Sequence, residues 1–178
     1  EDGCIGLSTG LDYPPACAAP TSELVAMARE LAGHKAMYVS HIRDEGDYLL
    51  EAVEEALEIS EVSQVPLVIS HHKSAGQRNW GKTRSTLEMI NRARSNQTVH
   101  FDVYPYIASS SVLLTQFIET PDKVKITWSE PFPEMGGVYL DKICDQWSCE
   151  LETAVQRLQP AGAIYFEMDE KEMQELLR

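Results

Sequence analysis

The sequence predicts an α/β protein: a parallel sheet whose strands alternate with returning helices, carrying a small inserted α+β unit. Three observations predict it. Two apolar, β-branched runs, 36–41 and 66–71, both end in Ser-His, and their histidines stand thirty residues apart, the length of one strand plus one helix of a βαβ unit. A third run, 99–106, closes on Tyr104-Pro105-Tyr106 and keeps nearly the same interval. From about residue 109 to 162 that interval fails. A strand at Val124-Lys125-Ile126-Thr127-Trp128, a Pro/Gly-rich loop over 129–137 and a helix near 151–158 replace it, the mixed pattern of an α+β insert.

Residues 5–8 read as an opening strand edge, and Pro14-Pro15 forces a loop because proline has no N–H to give to a ladder. Thr21 or Ser22 then stands as N-cap of a helix with the apolar stripe Leu24, Met27, Ala28 and Leu31, ended by Gly33. Strand 36–41 leads into the charged turn Arg43-Asp44-Glu45-Gly46-Asp47. The next helix turns Leu50, Val53, Ala56, Leu57 and Ile59 inward and keeps Glu51, Glu54, Glu55 and Glu58 as a solvated face. After strand 66–71 comes a polar stretch, 72–82, long for a βα connection and of the kind in which sites are built. Ser85-Thr86-Leu87-Glu88 has the capping-box pattern and starts a third helix, to about Arg94. Residues 163–166 read as a strand that resumes the parallel array, and Asp169 caps the last helix. The domain reading is therefore 1–107 for four strand ends with their helices, 108–162 for the inserted subdomain, and 163–178 for a truncated return.

Composition narrows the partners. A formal charge of −13 disfavours nucleic acid, whose phosphates need clustered Lys and Arg. No apolar run reaches the ~20 residues of a membrane span, so no membrane partner and a cytoplasmic location are the expectations. Cys4, Cys17, Cys144 and Cys149 are too few and too dispersed for a disulfide framework, and read as structural or incidental thiols.

In a parallel sheet the C-terminal strand ends share one rim, so His41 and His71 meet there. Two imidazoles on such a rim are the start of a zinc site; the alternative is that each hydrogen-bonds within the core. His72 is expected to face away from His71. Lys73 on the same rim suits a carboxylate as a point charge, or is an ordinary surface lysine. Tyr104 offers a phenol to the same mouth or packs in the core. Arg43, Asp44 and Glu45 either orient the His41 imidazole or form an ion pair that shapes the loop. His34 and His100 lie away from the rim and receive no role.

These residues carry a resemblance. Gly6-Leu7-Ser8-Thr9-Gly10 with Tyr13-Pro14-Pro15, then Ser40-His41-Ile42-Arg43-Asp44-Glu45-Gly46, Ser70-His71-His72-Lys73 and Asp102-Val103-Tyr104-Pro105-Tyr106 follow one another in order. Gln159-Pro160-Ala161-Gly162-Ala163-Ile164-Tyr165-Phe166 completes the series. Together they resemble the N-acyl-D-amino-acid deacylases (D-aminoacylases) of the amidohydrolase superfamily. The resemblance implies a (β/α)8 TIM barrel, here a partial segment, with a small domain inserted after one strand and zinc at the mouth. It implies that His41 and His71 ligate the metal. Lys73, Tyr104 and Ser110 match groups holding the substrate carboxylate, Tyr13 another substrate contact, and Tyr165 and Met168 the wall of the side-chain pocket. The substrate class implied is the N-acyl-D-amino acid, whose amide is hydrolysed with zinc polarising the carbonyl and activating water while an aspartate moves the proton.

The family's His-x-His pair and Cys ligand fall before Glu1, and Cys4 and Cys17 do not match that motif. The proton-shuttling Asp is expected beyond Arg178, so no catalytic residue is assigned within the chain. Asp12 stands where an apolar pocket wall is expected. The sequence thus reads as a fragment, with an incomplete zinc site and no activity of its own. The rival expectation is a non-catalytic acidic α/β module that binds a partner or self-associates through exposed barrel edges.

Overall fold

The computed structural model describes residues 3–118, 121 and 123–178; Glu1 and Asp2, where the first domain assignment begins, lie outside them. Four strands, β1 (Gly6–Gly10), β2 (Met37–His41), β3 (Leu67–Ile69) and β4 (Val99–Phe101), form a parallel sheet in the order β1-β2-β3-β4. Helices α1 (Thr21–Arg29), α2 (Leu49–Ser63) and α3 (Lys82–Ala93) make the crossovers. Leu24 and Ala28 of α1, Val53, Ala56 and Ile59 of α2 and Ile90 of α3 join Tyr38, Leu67, Ile69 and Val99 in one core. Each fully buried Leu or Ile there contributes about 1.5–3 kcal/mol. At Gly6 a Cβ would collide with the Met37 carbonyl, so the close β1–β2 approach requires glycine.

Several local expectations are corrected. Neither Thr21 nor Ser22 caps α1: Pro20 stands at the N-cap, and the Thr21 hydroxyl instead donates to Glu55 Oε1 at 2.7 Å. Met27 is exposed, and Leu49 rather than Leu50 is among the fully buried residues of α2. The Ser85 capping box is not formed, because α3 begins a turn earlier, where Gly81 adopts φ +95°, a left-handed conformation natural to glycine.

A second compact unit comprises residues 75–80 and 105–175. Strands β5 (Ala108–Val112), β6 (Lys123–Ser129) and β7 (Ala161–Phe166) form an antiparallel sheet in the order β5-β7-β6. Residues 163–166 therefore do not resume the parallel array; they are the central strand of this smaller sheet. A run buried on both sides reads alike in either setting. Helices α4 (Leu140–Trp147) and α5 (Leu151–Leu158) supply Leu140, Ile143, Val155 and Leu158 to its core with Ile126 and Ala163. The final helix, α6 (Glu170–Leu176), receives the expected cap, Asp169 Oδ2 accepting from the Glu172 N–H at 3.0 Å. Among the described residues no helix is long and apolar enough to cross a membrane.

Candidate metal centre

β2 delivers His41 at its last position. Alternation along the strand sets Tyr38 and Ser40 on one face and Val39 and His41 on the other. On the first face the Tyr38 hydroxyl meets Thr9 Oγ1 at 2.9 Å and Ser40 Oγ at 3.3 Å.

His71 arrives differently. β3 stops at Ile69, and His71 sits in a turn with φ +39°, uncommon for any residue but glycine. Asp102, just past β4, holds that turn. Its Oδ1 accepts from the His71 N–H at 2.8 Å, its carbonyl from the His72 N–H at 2.8 Å, and its own N–H donates to the Ile69 carbonyl at 3.1 Å. The strands expected through 71 and 106 are thus shortened by a side-chain-braced turn that strand propensity does not encode. Asp102→Ala is expected to lower stability by about 1–2 kcal/mol, read as a fall in the urea midpoint at unchanged slope; an unchanged midpoint would remove Asp102 from this role.

The two imidazoles converge. His41 Nδ1 lies 3.0 Å from His71 Nε2, with ring centroids 4.6 Å apart and planes at 74°. Tyr13 packs on His41 at 5.0 Å and Tyr104 on His71 at 6.2 Å. Lys73 is no surface lysine: its side chain is 2% exposed, and its Nζ reaches Glu45 Oε1 at 2.5 Å and His71 Nδ1 at 2.9 Å, with the Tyr104 ring centroid at 5.5 Å. Glu45 Oε1 also faces His71 Nδ1 at 2.9 Å. Burial alone would raise the Glu45 carboxyl, but the Lys73 ammonium and the two imidazoles outweigh it and hold the carboxyl at about 2. His72 turns inward, its Nε2 2.7 Å from Thr86 Oγ1, and burial pushes it down to about 4, so it is neutral at neutral pH.

The charged turn after β2 divides its labour. Arg43 shapes the loop, with Nε 2.8 Å from Glu55 Oε2 and further donations to the Cys17 and Ala19 carbonyls. Asp44 Oδ1 accepts from the N–H groups of Gly46 and Tyr48. Glu45 alone reaches the histidines. In the sequence these three stand as one charged group; what separates Glu45 is that it falls four residues after His41, beyond the strand's end. For Asp102 the signal was a carboxylate at a strand end beside Tyr-Pro-Tyr.

Among the described residues, His41, Glu45 and His71 form a group whose metal-capable atoms all lie within 4.8 Å of one another. The donor set suits zinc. Two ring nitrogens 3.0 Å apart can both reach one ion at zinc–nitrogen lengths of about 2.0–2.1 Å. His41 Nε2 is buried and makes no hydrogen bond among the described residues; Asp12 Oδ2 lies 3.8 Å from it. Of the expected substrate residues, Lys73, Tyr104 and Tyr13 belong to the same unit as this group. Ser110, Tyr165 and Met168 belong to the second unit. There Ser110 is exposed on β5, Met168 is buried, and the Tyr165 hydroxyl donates to the Val112 carbonyl at 2.7 Å.

No family model matches the chain. A D-aminoacylase of Alcaligenes xylosoxydans xylosoxydans is 44% identical over 175 residues, 98% of this chain and 36% of the relative. The crystal structure of an N-acyl-D-glutamate deacylase from Bordetella bronchiseptica superposes with a TM-score of 0.95 at 45% identity, over 98% of this chain and 37% of that one. The chain is a homologue of the N-acyl-D-amino-acid deacylases. It spans little more than a third of the length of the relatives it matches. The Bordetella enzyme holds zinc and a phosphonate inhibitor that mimics the tetrahedral intermediate. A D-aminoacylase described as defining a novel subset of amidohydrolases matches with a TM-score of 0.92 at 42% identity. The α/β fold of this deacylase homologue is thus that of amidohydrolase structures.

Proposed function

We propose that this chain is a segment of a zinc-dependent hydrolase that cleaves the amide of N-acyl-D-amino acids, giving a D-amino acid and a carboxylic acid. The carrying observation is the 3.0 Å approach of His41 Nδ1 to His71 Nε2, in a chain similar to a zinc-containing deacylase. On this reading the parallel sheet is a partial (β/α)8 barrel segment and the β5–β7 unit its inserted subdomain.

His41 and His71 would hold the metal. When bound, zinc supplies a Lewis acid for the acyl carbonyl and lowers the pKa of water toward 7. Lys73, with Tyr104 and Ser110, would fix the substrate carboxylate; an ammonium carries three donors, and Glu45 takes one. Tyr13 would line the substrate, and Tyr165 and Met168 the wall beside its side chain. No position in the chain is assigned the proton transfer. An orienting acid–base group contributes roughly 10²–10⁴-fold, so the chain alone is proposed to be inactive.

The test has two arms. The zinc-supplied chain by itself is expected to release no D-amino acid from an N-acyl-D-amino acid. Exchanged for the matching segment of the Alcaligenes D-aminoacylase, it is expected to support release, lost on His71→Ala. A folded chimera that binds zinc yet hydrolyses no N-acyl-D-amino acid would contradict the reading.

A further inference from the structure

We infer that Glu45 is a positioning residue that decides which nitrogen of His71 is offered to a metal: its carboxylate holds the proton on Nδ1 and leaves the Nε2 lone pair facing His41. The inference rests on His41 and His71 as the metal-binding pair.

The geometry around His71 Nδ1 is a triangle. Glu45 Oε1 lies 2.9 Å away, Lys73 Nζ 2.9 Å away, and those two atoms are 2.5 Å apart. Two arrangements satisfy such a triangle. Nδ1–H donates to the carboxylate, or Lys73 donates to a bare Nδ1. In the second arrangement a ring lone pair faces a carboxylate oxygen at hydrogen-bond distance, acceptor against acceptor. The first sets Nδ1–H beside the ammonium, but a carboxylate oxygen accepts from His71 and Lys73 together. Tetrahedral ammonium protons, with one aimed at Oε1 across 2.5 Å, leave none aimed at Nδ1 within so tight a triangle. With Nδ1 protonated, a neutral imidazole must carry its lone pair on Nε2, the atom that meets His41 Nδ1 at 3.0 Å.

Glu45 is itself held in place. Asp44 Oδ1 accepts from the Gly46 and Tyr48 N–H groups, and Lys82 Nζ donates to the Gly46 and Asp47 carbonyls at 3.2 and 2.8 Å. The loop that presents the carboxylate is therefore fixed from both sides, as an orienting group for a ligand requires. The same carboxylate pairs with Lys73, so one side chain contacts both His71 and the lysine beside it.

Long-range proton–nitrogen NMR on the 15N-histidine-labelled 178-residue chain, free of metal at neutral pH, reads the tautomer directly. The expected result is His71 protonated on Nδ1. In Glu45→Leu/Lys73→Met, which removes both charges together and leaves neither buried alone, the His71 proton should move to Nε2. Competition with a chromophoric zinc chelator should then show zinc dissociating at roughly 10–100-fold higher concentration than from the wild type. A wild-type His71 protonated on Nε2, or a folded double variant with unchanged tautomer and zinc affinity, would overturn the assignment. A wild-type chain that takes up no zinc while His71 keeps its Nδ1 proton would sink the metal reading and leave the task of Glu45 standing.

Discussion

Lys73→Ala is expected to destabilise the parallel-sheet unit by about 3–5 kcal/mol. The reason is the carboxylate it abandons rather than the contact it loses. Glu45 is 13% exposed and Lys73 2% exposed, and their atoms stand 2.5 Å apart. Water cannot replace the ammonium at that depth, so the mutant keeps a buried carboxylate with only the two imidazoles beside it. The apolar double replacement Glu45→Leu/Lys73→Met should recover most of the loss, because removing both ions together avoids the desolvation of either. A urea-denaturation cycle over the two single variants and the double variant measures this. A Lys73→Ala protein within about 1 kcal/mol of wild type would show the pair to be water-accessible.

The second large effect is expected at Arg43. Its guanidinium bonds both Glu55 carboxylate oxygens and spans to the Cys17 and Ala19 carbonyls, tying α2 to the loop that precedes α1. Arg43→Ala removes a bidentate, partly buried pair and should cost about 2–4 kcal/mol. The pair also gives a pH signature. Burial alone would raise the Glu55 carboxyl, but hydrogen bonds from Arg43 and Thr21 hold it below its ordinary value. A carboxyl depressed in the fold stabilises above its unfolded pKa and loses that contribution as pH falls through the folded one. Stability should therefore drop on acidification below about pH 4.5, and Glu55→Gln should flatten that limb while lowering stability at pH 7. An acid limb identical in Glu55→Gln and wild type would assign the loss to other carboxyls.

Much of the scaffold was legible because its signals are periodic. The thirty-residue interval between Ser-His endings placed β2 and β3, and the glutamate-faced stripe placed α2. What escaped depended on partners distant in sequence. Tyr-Pro-Tyr looked like a strand ending, but Asp102 draws its backbone and side chain to His71 and ends the ladder earlier. The run 161–166 is apolar throughout, and nothing local says whether its neighbours are parallel or antiparallel. Lys73 shows the same limit at the site. Its burial follows from a glutamate 28 residues away, which no spacing rule connects to it. The histidine pair was legible because the topology of a parallel sheet, once inferred, already brings its strand ends together.

The central claim is that His41 and His71 jointly hold one metal ion, and titrating the 15N-histidine-labelled chain with zinc tests it most directly. Of the five histidines, the ring nitrogens of His41 and His71 should shift together and saturate at one equivalent, while His34, His72 and His100 stay in place. Zinc that leaves His41 and His71 unmoved, or that shifts only one of them, would contradict it.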